Sequence, residues 1–264
     1  MPGAHHGRSN FDACIPFIFR EEGGFTKDPH DPGNWTGGKV GKGVLKGTNF
    51  GIAANSHPNL DIPNLTKAEA AKLYRVEYWS ACSCDLLGIG VDLVVMDAAV
   101  NSGVGRGRSF RDATASISDP LKRVDAISDK RRAFYKGLKA FARYGKVWLG
   151  RVARIQAAAT KMALDAAGKP ASAVRAELQA RAAKAETGAA KAAQQATAAG
   201  AGSGSLATAT ASTMPTPDQA AHPTVFLALL AVVVGGILVA VFIHRARAHR
   251  ELASAFAEAV ADTK

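Results

Sequence analysis

Two adjacent carboxylates precede a glycine pair in Arg20-Glu21-Glu22-Gly23-Gly24-Phe25. Before them Phe11, Cys14, Ile15 and Ile18 recur at helical spacing. At about 100° per residue Glu22 falls near the middle of that apolar face and Glu21 at its edge. Glu22 is therefore expected to point into the fold. A carboxylate held against apolar surface resists ionising, and one that keeps its proton near neutral pH can act as a general acid. The competing reading is a carboxylate that only caps a turn or pairs with a lysine.

The elements that must position Glu22 follow from the pattern around it. Pro16 lacks the N–H of a helix interior, so the first helix kinks or starts there, and either choice leaves Glu22 facing inward. Residues 26–64 are dense in Gly and Pro, which excludes a long helix and predicts a loop-rich wall, with Lys39-Val40 and Gly43-Val44-Leu45 as a small hairpin. Thr66-Lys67-Ala68-Glu69 has capping-box spacing and opens a helix to about Trp79, with Tyr74 and Tyr78 one turn apart. Ile89 to Asn101 is nearly continuous in apolar residues and ends at Gly103, as a buried central helix does. Asp97 inside it is expected to be a structural hydrogen-bonding residue. Leu121 to Ala140 and Lys146 to Leu164 read as two further helices, with Phe134, Tyr135, Phe141, Tyr144 and Trp148 as packing aromatics or a sugar-binding face.

Glu22 is followed by Asp31, across Phe25-Thr26-Lys27-Asp28-Pro29-His30, and then by Lys46-Gly47-Thr48-Asn49-Phe50-Gly51-Ile52. Met96-Asp97-Ala98-Ala99-Val100-Asn101-Ser102-Gly103-Val104-Gly105-Arg106, Arg131-Arg132-Ala133-Phe134-Tyr135 and Tyr144-Gly145-Lys146-Val147-Trp148-Leu149 come next. In that order these motifs resemble the glycoside hydrolase family 108 muramidases, over roughly residues 11–155. The resemblance makes Glu22 the catalytic glutamate. By further likeness to phage-type lysozymes, Asp31 and Thr48 are the partners, with Asp28 as a competing second carboxylate. It implies a mainly α, lysozyme-like fold (α+β, with a small hairpin) that hydrolyses the β-1,4 bond between N-acetylmuramic acid and N-acetylglucosamine in peptidoglycan. Glycan strands are the implied partner, with no cofactor and no metal. The segment Gly107-Arg108-Ser109-Phe110-Arg111-Asp112 is more polar than the Leu-Gln-type helix that the resemblance implies at that place, which bears on separate wall affinity in this half.

The 264-residue chain carries a formal charge of +11, and residues 1–155 hold 23 Lys and Arg against 15 Asp and Glu. That surplus suits an anionic partner such as cell wall, lipid head groups or nucleic acid, but zinc-finger spacing, RNP-like aromatics and basic-zipper heptads are all missing, so nucleic acid is not expected. Cys14, Cys82 and Cys84 lack C-x-x-C spacing and read as reduced core residues. Residues 1–10 read as a loose lead-in, and the first twenty residues hold no apolar run of signal-peptide length, so export by an N-terminal signal is not expected.

The expected organisation is a catalytic domain at 11–104, a peptidoglycan-binding-like helical subdomain at 105–164 and an Ala-rich, flexible linker at 165–222. A transmembrane helix at 223–243 and a basic amphipathic tail at 244–264 complete it. Thr224 to Ile243 is 20 residues without a charge, long enough to cross about 30 Å of hydrocarbon. Arg245, Arg247 and Arg250 follow it and no Lys or Arg lies between Lys191 and Arg245. The positive-inside rule then predicts a single pass through the inner membrane, with the tail cytoplasmic and the catalytic domain periplasmic. The leading function is a membrane-tethered muramidase, an endolysin or secretion-associated enzyme. The alternatives are a non-catalytic wall-binding anchor or holin-like protein, and a nucleic-acid-binding membrane protein suggested by charge alone.

Overall fold

The computed structural model describes residues 10–211 and 223–263. The lead-in at 1–9 and the linker portion at 212–222 lie outside the described residues. Eight α-helices and one two-stranded antiparallel sheet are described: α1 (Phe11–Glu22), β1 (Thr48–Asn49), β2 (Ile52–Ala53), α2 (Lys67–Tyr74), α3 (Val91–Ser102), α4 (Val104–Asp112), α5 (Pro120–Lys136), α6 (Phe141–Ala166), α7 (Ala171–Ala211) and α8 (Pro223–Ala261). The chain divides into two compact units, Met1–Phe134 with Ala158–Ala167, and Tyr135–Ala157 with Gly168–Lys264.

In the first unit α3 is the core. Val91, Leu93, Val94, Val95, Met96, Ala98 and Ala99 are all buried, as the uninterrupted apolar run predicts. The face of α1 that packs inward is the one read from spacing: Phe11, Cys14, Ile15 and Ile18. Asp97 is fully enclosed and accepts from Arg131 Nη2 at 2.6 Å, with both side chains at 0 % exposure. That pair ties α3 to α5 and gives Asp97 the structural role expected of it. The polar segment after Arg106 belongs to α4, which begins at Val104. Gly107 lies so close to α3 that a Cβ there would stand 2.8 Å from the Ala99 Cβ. The expected division at 104/105 falls in the first turn of α4, which is packed tightly on α3.

The capping box at Thr66 is present. Thr66 Oγ1 accepts from Glu69 N (3.2 Å), and Glu69 Oε2 accepts from Thr66 N (2.9 Å). After Tyr74 the helix continues as a widened π-type segment, Arg75–Ser80. The three cysteines are free and buried, and burial pushes the thiols of Cys14 and Cys84 well up.

In the second unit residues 171–211 form one continuous helix, α7: the Ala-rich first part, whose composition allows a helix, is helical, and the coil expected from Ala198 onward is helical as far as Ala211. Alanine favours helix, and Val174, Leu178, Ala182, Ala185, Ala189 and Ala192, spaced three or four apart, make a buried small-residue seam along α8. The opposing α8 residues include Ala246, Ala253, Phe256 and Ala259. In the same unit Tyr135 stacks on Trp148 with ring centroids 5.3 Å apart, and Tyr144 lies 5.7 Å from Trp148.

Candidate active site

Glu22 is the last residue of α1, one turn beyond the buried Ile18. It is half-buried, and its Oε1 is shielded from solvent. Gly23 ends the helix at a positive φ (76°) that favours glycine, its N–H donating to the Phe19 carbonyl at 3.2 Å. The chain then turns back at once, because Thr26 and Thr48 exchange both backbone hydrogen bonds at 2.8 Å. Four residues after the carboxylate, the backbone is thus pinned to β1.

The β1–β2 hairpin pairs Thr48 with Ala53 and Asn49 with Ile52, leaving Phe50-Gly51 as a two-residue turn. Both have positive φ, 49° and 76°, which is the twist a type I′ hairpin turn requires. Gly51 is pressed into the corner where Glu22 lies. A Cβ on it would stand 2.5 Å from Tyr74 Oη, 2.9 Å from Glu22 Oε2 and 3.1 Å from Glu22 Cβ. Tyr74 Oη donates to the Phe50 carbonyl at 2.8 Å and so holds the turn against the helix.

Aromatic rings complete the corner. Phe19 packs 5.5 Å from Phe50 and 5.8 Å from Tyr74, and Tyr74 lies 5.3 Å from Tyr78. Burial, followed by the Glu77 and Glu22 carboxylates, pushes the Tyr78 phenol upward, so Tyr78 lies within the field of Glu22. Phe25 stands exposed on the other side, its ring against Gly47.

The remaining expected site residues belong to the loop between Thr26 and Thr48. Asp31 is exposed and caps a short 3-10 turn (Pro32–Asn34), with Oδ1 accepting from Gly33 N at 2.8 Å. Asp28 is exposed too, with Oδ1 accepting from His30 N at 2.9 Å. Thr48 Oγ1 donates to Asn34 Oδ1 at 2.7 Å. Asn34, which the sequence reading passed over, is fully buried and organises the loop. Its Nδ2 donates to the Asp28 carbonyl (3.0 Å), and its own carbonyl accepts from Lys46 N and Gly47 N.

The hairpin also lies elsewhere than expected. The segment around 39–45 is a glycine-rich bulge closed by the Trp35–Leu45 bridge, with Val40 and Val44 exposed, and the paired strands come later. The sequence signal for Gly51 was its place after Thr48-Asn49-Phe50. Tyr74 and Tyr78 were visible as a one-turn pair, but nothing local tied them to Glu22. Among the described residues no three His, Cys, Asp or Glu side chains gather to hold a metal.

Residues 15–103, which include every site residue named above, match the family model described as glycosyl hydrolase 108. A solved structure, that of Brucella abortus SagA, is similar with 26% sequence identity and a TM-score of 0.50. The match covers 61% of this chain and 99% of that chain. No curated protein matches the sequence. The mainly helical, lysozyme-like fold with one small antiparallel hairpin is the one expected.

Proposed function

We propose that this chain, whose residues 15–103 match glycosyl hydrolase 108, cleaves the β-1,4 bond between N-acetylmuramic acid and N-acetylglucosamine in peptidoglycan. The observation that carries the reading is the seat of Glu22: an acid at the end of a buried helix face, boxed in by the Phe50-Gly51 turn and Tyr74. In this reading Glu22 gives its proton to the departing glycosidic oxygen as the C–O bond breaks and positive charge builds on the sugar ring. Asp31, or failing it Asp28, supplies the second carboxylate that steadies this centre or activates water. Thr48, oriented by Asn34, steadies that water. The exposed ring of Phe25, against Gly47, offers a stacking face for a sugar.

The basic surplus of the N-terminal portion favours an anionic wall once the enzyme reaches it, and α8 serves as its membrane tether. Glu22→Gln tests the central role: activity on purified peptidoglycan is expected to vanish while the chain still folds. Unchanged activity would remove Glu22 from the reaction. Mass spectrometry of the digest checks the bond, since a muramic-acid reducing end identifies a muramidase.

A further inference from the structure

The register of the α7–α8 hairpin can be read from four contacts. Arg175 Nη2 donates to the Thr263 carbonyl at 2.6 Å, and the Arg181 guanidinium lies 5.8 Å from the Phe256 ring centroid. A Cβ on Gly188 would meet His249 at 2.9 Å, and one on Gly200 would meet Val239 at 3.8 Å. In each pair the two residue numbers add to between 437 and 439, so the helices run antiparallel without slipping.

That register aligns the ends of charge on both helices. Lys191 is the last charged residue of α7, and it stands level with Arg247 and within about two residues of Arg245, the charge that borders the apolar stretch of α8. Beyond this level α7 runs from Ala192 to Ala211, 20 residues without Asp, Glu, Lys or Arg. Alongside it α8 carries the uncharged Thr224 to Ile243, also 20 residues. At 1.5 Å per residue both stretches are about 30 Å long, the thickness of a hydrocarbon core.

Surface chemistry divides between them. Leu230, Val233, Val234, Ile237, Leu238 and Val241 form an exposed apolar strip on α8. The uncharged part of α7 is Ala, Gly, Ser and Thr apart from Gln194, Gln195 and Leu206, the composition of helix contacts inside lipid. The Thr197 hydroxyl already donates to the Ala193 carbonyl, as a hydroxyl in lipid must.

We infer that α7 and α8 enter a lipid bilayer together as a hairpin, leaving both chain ends on one side and residues 212–222 on the other. The side follows from charge. Lys184 and Lys191 precede the hairpin, Arg245, Arg247 and Arg250 follow it, and residues 212–222 contain no Lys or Arg. Both ends therefore face the cytoplasm. Among the described residues α8 is the one candidate span by length and composition, and α7 enters only as its partner. In that the hairpin differs from the single crossing expected from the sequence, and it requires no passage of the N-terminal portion through the membrane. It rests on reading α8 as a membrane helix. A wall hydrolase held this way has no access to its substrate until the membrane changes.

Topology is tested on the full-length chain carrying Glu22→Gln, to spare the host wall, in a Gram-negative cell. Single cysteines at Ser9, Thr216 and Lys264 are labelled with a membrane-impermeant maleimide before and after lysis of spheroplasts, the native cysteines being buried. Labelling of Thr216→Cys in intact spheroplasts, with Ser9→Cys and Lys264→Cys labelled only after lysis, is the expected result. Labelling of Ser9→Cys before lysis, or of Thr216→Cys only after it, overturns the hairpin. A carbonate wash is expected to leave the chain on the membrane, and Ile237→Lys to lower the membrane-bound fraction at least tenfold. A parent chain released by carbonate, as monomer or dimer, overturns the membrane reading itself. Activity of the unmodified chain on purified peptidoglycan reports separately on the hydrolase reading.

Discussion

Gly51→Ala is the sharpest probe of the corner around Glu22. The added methyl carbon would stand 2.5 Å from Tyr74 Oη and 2.9 Å from Glu22 Oε2, closer than unbonded carbon and oxygen approach, at a φ of +76°. The left-handed conformation alone costs about 1–2 kcal/mol for an L-residue. Losing the Tyr74 to Phe50 hydrogen bond adds about 1 kcal/mol, so the expected loss of stability is about 2–3 kcal/mol. Catalysis should suffer more, because displacing a reacting group by ~1 Å can cost on the order of 100-fold in rate. Gly103→Ala is the control: its φ is +87° with ψ 150°, a region only glycine populates readily, but nothing lies within 4 Å, so it carries a conformational cost of its own without the collision. Urea unfolding and the clearing rate of purified peptidoglycan are measured for both. Gly51→Ala should lose stability and activity, Gly103→Ala stability only. Adding Tyr74→Phe to Gly51→Ala should recover part of the stability, since the closest colliding atom is gone. Wild-type activity in Gly51→Ala would refute the packing of the turn against Glu22.

Three other outcomes are expected. Asp97→Asn leaves the buried Arg131 charge uncompensated and should destabilise by about 3–5 kcal/mol in urea unfolding, whereas Asp97→Leu with Arg131→Met should cost less than either single change. Asn34→Ala removes the acceptor of Thr48 and the donor to the Asp28 carbonyl, so a loss of about 2–3 kcal/mol in the same assay, with reduced turnover, is expected. Asp92 is buried at the start of α3, and burial raises its carboxyl to about 6 despite hydrogen bonds from Asn10, Gly90 and Leu93. The folded state therefore binds that proton more tightly than the unfolded chain. The resulting stabilisation is complete below about pH 4 and is lost as pH rises through about 6. Urea midpoints between pH 5 and 7.5 should show this decline, on the order of 2 kcal/mol at most, and Asp92→Asn should abolish that component.

What could be read in advance was local. The capping box at Thr66 and Glu69 is made by groups three residues apart, and α3 declares itself by an unbroken apolar run ending at glycine. The inward face of α1, and with it the seat of Glu22, follows from periodicity alone. Harder features depend on contacts distant in sequence. Asn34 matters because Thr48 and the chain at 46–47 fold back onto it, and no pattern around residue 34 announces that. The hairpin was sought among valines at 40–44, but its turn uses Phe50-Gly51 in place of the usual Asn-Gly. At α7 composition allows a helix but shows no face to bury, since alanine supplies little apolar area by itself yet allows close approach to a matching helix.

The paired backbone bonds between Thr26 and Thr48, with the Trp35–Leu45 bridge inside them, act as successive clasps on one excursion of the chain. Material beyond the inner clasp, from Thr36 to Val44, can be lengthened, shortened or exchanged while the stem keeps its spacing. That makes the excursion a graft site: a foreign peptide spliced between Gly38 and Gly41 would be displayed on the surface with the acid at its base undisturbed.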